Sequence, residues 1–145
     1  MEAKIVKLGE KIHDALVEMV KKTNLFPLDL GGSCAVASFF LVQEMEARLG
    51  LKAELMVAPG HAFVEHRDRI YDITATQFGW HDKVLSVRRK DLNKLDNGSL
   101  IEYYSEGAVG DVDEINSDWP RCQRPASYRL TWLNQHKARV VYLRK

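Results

Sequence analysis

Three side chains in this sequence have the types and spacing for nucleophilic chemistry: Cys34, His61 and Asp72. Cys34 follows Gly31-Gly32-Ser33 and opens a run, apolar nearly all round in its first two turns, that continues to about Leu49 before Gly50. Ser33 is a suitable N-cap and Gly50 a suitable C-terminal stop, so the pattern predicts a buried helix that begins at the thiol. Free backbone N–H groups and the positive end of the helix dipole meet there, and both favour a thiolate. A thiolate near neutral pH is a nucleophile, and two glycines ahead of it let a substrate backbone come close. Position alone leaves a second reading open, in which Cys34 is a small buried core residue, as free cysteines often are.

His61 opens Gly60-His61-Ala62-Phe63-Val64-Glu65, directly after a Pro59-Gly60 turn signal. A histidine at a strand entrance can reach a neighbouring helix start and act as general base. Asp72 lies in Ile70-Tyr71-Asp72-Ile73-Thr74, an apolar, β-rich stretch. The polar residues between the two runs predict a hairpin. A two-residue turn at Arg67-Asp68 pairs 66 with 69 and makes His61 and Asp72 diagonal neighbours. A turn at His66-Arg67 pairs them directly. Both registers put the two side chains on one face of the sheet, where Asp72 can orient the imidazole and stabilise its protonated form.

The elements that must position these groups are legible from periodicity. Ile5, Leu8, Ile12, Leu16, Met19 and Val20 predict an amphipathic helix over 3–22, ended by Asn24 and Pro27. Strands are predicted at Lys52–Ala58, His61–His66, Ile70–Thr74 and Val84–Val87, with a short one at Leu100–Tyr104. Residues 91–99 and 106–118 read as surface loops, Pro125 to Lys137 as a helix and Ala138–Leu143 as a terminal strand. With no repeat and no low-complexity linker, residues 1–145 are expected to form one α+β domain, a central helix packed on an antiparallel sheet.

Composition narrows the function classes. The chain has 46% hydrophobic and 28% charged residues, which excludes disorder. Its 21 basic and 20 acidic residues give a net charge of +1, which argues against a dedicated nucleic-acid binder. Two cysteines cannot build a disulfide framework. The longest apolar run, Ala35 to Val42, is far short of the ~20 residues of a membrane span. The first 22 residues lack the apolar centre of a signal peptide, so a cytoplasmic location is expected, with leaderless export as the alternative. No Cys-x-x-Cys or His-Glu-x-x-His motif is present, and His61-x4-His66 has the wrong parity for two ligands on one strand face, so no metal or cofactor is expected. Residues 119–145 carry Arg and Lys but no acid, and 106–118 carry acids but no base. That asymmetry leaves open a surface for acidic partners or nucleic acid. Trp80, Trp119 and Trp132 read as core or cleft-lining residues. Cys122 has no His or Asp context.

Taken together, Gly32-Ser33-Cys34, Ser38, Leu49-Gly50-Leu51-Lys52-Ala53-Glu54, His61-Ala62-Phe63-Val64-Glu65 and Tyr71-Asp72-Ile73-Thr74 resemble the transglutaminase-like branch of the papain-like cysteine enzymes. The likeness covers residues 31–78, and its motifs are specific to the superfamily rather than to one activity. The Gly31–Cys34 start also looks somewhat like arylamine N-acetyltransferases, which are longer chains. The resemblance implies a papain-like fold, Cys34 as nucleophile, His61 as general base and acid, and Asp72 as the orienting residue. It implies a peptidase, amidase, deamidase or transglutaminase type of acyl transfer on a protein, peptide or other amide substrate. One departure matters: papain-type enzymes carry a Gln upstream of the Cys, and none lies between Lys22 and Cys34. Oxyanion or substrate contact would then fall to the Cys34 backbone N–H with Ser33 or Gln77 as further candidates. The rival functions are a catalytically inert interaction module of the same fold and a binder of acidic partners through the basic C-terminal region.

Overall fold

In the computed structural model, residues 1–22 and 34–110 are described. The first amphipathic pattern forms α1 (Glu2–Lys22), which buries Ile5, Leu8, Ile12, Ala15 and Leu16. The second forms α2 (Cys34–Leu49), with Phe40, Leu41 and Met45 fully buried. Gly50 ends α2 at φ +66°, a left-handed conformation that glycine adopts without steric cost. The chain then builds β1 (Glu54–Ala58), β2 (His61–His66), β3 (Arg69–Asp72) and β4 (Leu85–Arg88). Two 3-10 segments, Ala75–Phe78 and Arg89–Lys94, flank β4, and α3 (Gly98–Glu106) and β5 (Ala108–Val109) follow.

The five strands form one antiparallel sheet in the order β4-β3-β2-β1-β5. Central β2 is buried on both faces, and its alternation sorts two cores. Ala62 and Val64 face α1 and α2, together with Ile12, Leu16, Phe40, Leu41 and Ile73. Phe63 faces the other way, with Met56, Ile70, Leu85, Leu92, Leu100 and Tyr104. Two buried polar ties fix the first layer: His13 Nδ1 donates to the Ile73 carbonyl at 2.8 Å, and Ser38 Oγ donates to the Ala62 carbonyl at 3.3 Å.

The hairpin register is the one with His66 opposite Arg69. Arg67 and Asp68 form its two-residue turn with φ of 51° and 63°, the geometry that matches strand twist. Strand ends shift by one or two residues from expectation: β1 begins at Glu54, β3 stops at Asp72, and β4 runs to Arg88.

Three expectations are corrected. Leu100–Tyr104 is not a strand but the middle of α3. Asn97 Oδ1 accepts from Leu100 N at 3.1 Å and caps that helix, and Leu100 and Tyr104, four apart, supply its buried face. Its β-prone composition was overridden by capping and burial. Residues 91–99 are likewise not a plain loop: they hold most of a 3-10 segment and the α3 cap. Ala108–Val109 pairs with Val57 and Met56, adding an edge strand where a loop was expected. The expected elements at Pro125–Lys137 and Ala138–Leu143 lie outside the described residues. So do Trp119, Trp132, Cys122 and the basic 119–145 segment. Among the described residues no helix is long and apolar enough to cross a membrane.

Gly107 ends α3 against β2. A Cβ there would overlap the Phe63 ring, which is itself fully buried against Tyr104 at a centroid distance of 4.8 Å. Its φ of −64° suits any residue, so only space is at issue. Gly107→Ala is expected to cost about 1–3 kcal/mol by overpacking, read as a lower urea midpoint at unchanged m.

Candidate active site

Each of the three chemistry-bearing residues stands at the end of an element. Cys34 is the first residue of α2, His61 the first of β2 and Asp72 the last of β3. The observed register sets Asp72 across from the position of Phe63, so His61 lies diagonal to it on the same face. Gly60, at φ +91°, makes the sharp turn that brings His61 into the strand. All three side chains are buried, with 1%, 0% and 0% exposure.

His61 Nε2 donates to Asp72 Oδ2 at 2.6 Å. Asp72 accepts three further hydrogen bonds, from Tyr104 OH to Oδ2 at 2.6 Å, Thr74 N to Oδ1 at 2.9 Å and Thr74 Oγ1 to Oδ1 at 3.3 Å. A buried carboxylate so supplied stays ionised. Burial pushes the Asp72 carboxyl up, but the His61 charge and hydrogen bond, helped by Tyr104 and Thr74, hold it below the usual carboxylate value. For His61, burial is the strongest influence and pulls the imidazole down. The Asp72 charge and hydrogen bond, with a smaller contribution from the Cys34 thiol, outweigh it and carry the pKa up to about 10. His61 is thus a buried imidazolium across the neutral range. With Nε2 committed to Asp72, Nδ1 is the ring nitrogen left for the thiol.

An aromatic box fixes the ring. Phe78 meets His61 edge-on at 4.8 Å between centroids, and Tyr103 lies at 5.3 Å. Two polar ties hold the box. Asn97 Nδ2 donates to the Phe78 carbonyl at 3.0 Å while its Oδ1 caps α3. The Arg89 guanidinium pairs with Glu65 of β2 and donates from Nη1 to the Tyr104 carbonyl at 2.9 Å. Asn97→Ala removes the cap and the Phe78 tie together. It is expected to cost about 1–2 kcal/mol in chemical denaturation.

The hairpin brings His61 to Asp72, and the Cys34 thiol at the start of α2 acts on the imidazole. Gln77 sits on the Ala75–Phe78 segment beside Phe78, half-buried, with its Nε2 donor enclosed and unpartnered. Ser33 lies outside the described residues. Four contributors were not foreseen: Thr74, Phe78, Tyr103 and Tyr104. Thr74 was within reach, since an aspartate commonly accepts from the backbone two residues on. Tyr104 was not, because it is 32 positions from Asp72 and on a segment whose composition reads as a strand. Among the described residues no three His, Cys, Asp or Glu side chains converge as metal ligands.

The fold is therefore α+β with an antiparallel sheet, and comparison with protein-family models, curated proteins and solved structures returned no match.

Proposed function

We propose that this protein is a cysteine-dependent acyl-transfer enzyme of transglutaminase-like, papain-like architecture, acting on an amide of a protein or peptide. The observation that carries the reading is the buried His61–Asp72 pair at 2.6 Å, whose imidazole interacts with a thiol at the first residue of a helix. A carboxylate, an imidazolium and a helix-start thiol in series form a relay for nucleophilic catalysis.

The Cys34 thiolate attacks the carbonyl carbon and the C=O π electrons move onto oxygen. The Cys34 backbone N–H and the unpartnered Gln77 Nε2 are the donors assigned to that oxyanion. On collapse the C–N bond breaks, and His61 Nδ1 gives its proton to the departing amine. The acyl group stays on Sγ as a thioester. His61, now neutral, takes a proton from water or an acceptor amine as that nucleophile attacks, and the Cys34 thiolate leaves. Asp72 stays ionised throughout and holds the ring in place. We assign the protein to the cytoplasm, a compartment that keeps a reactive thiol reduced.

The near-complete burial of Cys34 favours one rival, an inert interaction module of the same fold. Incubation with small activated acyl donors, followed by intact mass and peptide mapping, decides between them. A donor-sized mass increment on Cys34 that decays with water or amine supports the enzyme. Acylation confined to unfolded protein supports the module.

A further inference from the structure

The far end of the β2–β3 hairpin, opposite the thiol site, holds a cavity of about 840 Å³. His61 and His66 are five residues apart on β2, roughly 17 Å at strand rise, so the two sites are separate. The apolar part of its lining comes from Ile5, Leu51 and Tyr71, and Arg67, Arg88 and Lys90 bring positive charge to it.

Cations dominate the rim of this cavity, and Arg67, Arg88 and Lys90 are exposed. Arg69 and Arg88 are directly opposite each other on β3 and β4, where like charges repel. Arg69 is neutralised locally, by Glu2 at 3.2 Å, with Ser86 Oγ accepting from it at 3.1 Å, and Arg89 is neutralised by Glu65. Arg67, Arg88 and Lys90 make no ion pair among the described residues, and beside Glu2, which pairs with Arg69, the lining carries one other carboxylate, Asp68. Arg67 also occupies a left-handed turn position, φ 51°, where Asn or Gly is the easier choice. Its neighbour is pinned, because Arg89 N donates to the Asp68 carbonyl at 2.8 Å and ties the turn to the Arg88–Lys90 segment. A chain with a net charge of only +1 thus gathers three cations outside any ion pair, against the single carboxylate of Asp68, from two tied segments around one concavity.

We infer that this cavity binds a compact phosphate oligoanion, either an inorganic polyphosphate or the phosphate chain of a nucleotide. Three converging cations are neutralised together by a ligand with several charges a few ångström apart, whereas a single carboxylate satisfies one. Guanidinium forks match phosphate oxygens two at a time, and a lysine serves as a point charge. The volume is that of a small-molecule site. This inference is independent of the proposed chemistry at Cys34.

The test is calorimetric titration of the whole chain with tripolyphosphate and, separately, with a nucleoside triphosphate, at matched ionic strength. Saturable one-to-one binding is expected, weakened at least about tenfold in Arg67→Ser and Arg88→Ser and unchanged in Lys11→Ser, an exposed control on α1. Arg88→Lys keeps the charge but not the fork and is expected to bind between wild type and Arg88→Ser, which separates ligand loss from misfolding. The tighter of the two ligands identifies the source of the phosphates. Binding no stronger than that of sulfate, or equal in all variants, overturns the inference. So does a glutamate oligomer that binds through these residues while tripolyphosphate does not.

Discussion

Cys34 is expected to be alkylated by limiting iodoacetamide in the native protein, and faster than in His61→Ala. The reason lies in its neighbour. His61 keeps its proton to about pH 10, because Asp72 outweighs the burial that would strip it. An imidazolium that interacts with the thiol stabilises the negative charge carried by the attacking sulfur. His61→Ala removes that positive charge and leaves a thiol that is 1% exposed in an apolar layer. Labelling is expected to slow by about 10–100-fold, and turnover of any amide substrate to fall at least about 10³-fold, as in Cys34→Ser. Peptide mapping of the labelled protein, with the rate followed from pH 5 to 8, gives the readout. Native protein that labels at Cys34 only after unfolding, or equally fast without His61, removes the basis for the enzyme.

The parts of this site that the sequence disclosed are those governed by local rules. Cys34 opens an apolar run, and it is the first residue of α2. His61 and Asp72 meet because a two-residue turn fixes parity, and parity alone decides which side chains share a face. The thermodynamics of the site was less accessible. Tyr104 shares Oδ2 of Asp72 with His61, and no periodicity links residues 32 apart. The same blindness produced the strand assigned to Leu100–Tyr104: Leu-Ile-Glu-Tyr-Tyr is β-prone by composition, while Asn97 and the buried Leu100–Tyr104 stripe make it helical. Arg89, which lies in the basic run Arg88-Arg89-Lys90, holds Glu65 and the α3 terminus in place. Long-range partners of this kind decide how strongly a relay is charged, and they follow from packing that only the fold supplies.

Asp72→Asn is expected to be the most disruptive single change away from the nucleophile. It leaves a histidine in a dry site without its counter-charge, and loss of one partner of a buried pair costs about 3–5 kcal/mol. Burial then governs the imidazole, and its pKa is expected to fall from about 10 toward or below the ordinary 6.5, so the resting ring becomes neutral near pH 7. A neutral ring cannot protonate a leaving amine, and turnover is expected to drop on the order of 10²–10⁴-fold. Tyr104→Phe separates orientation from charge. It deletes one hydrogen bond to a carboxylate that keeps three donors, at about 1.5–3 kcal/mol, and the imidazolium survives. The pair also shapes stability against pH. The raised His61 pKa gives stability that is fully present below pH 6.5 and lost as pH climbs toward 10. The lowered Asp72 pKa gives stability that is present above pH 3.8 and lost as pH falls below it. Wild type is therefore expected to lose stability between pH 6.5 and 10, a loss that Asp72→Asn abolishes and Tyr104→Phe retains. Urea unfolding at a series of pH values, with the His61 ring nitrogens followed by NMR, reads both effects. A wild-type His61 that titrates near 6.5 would show that Asp72 does not control it.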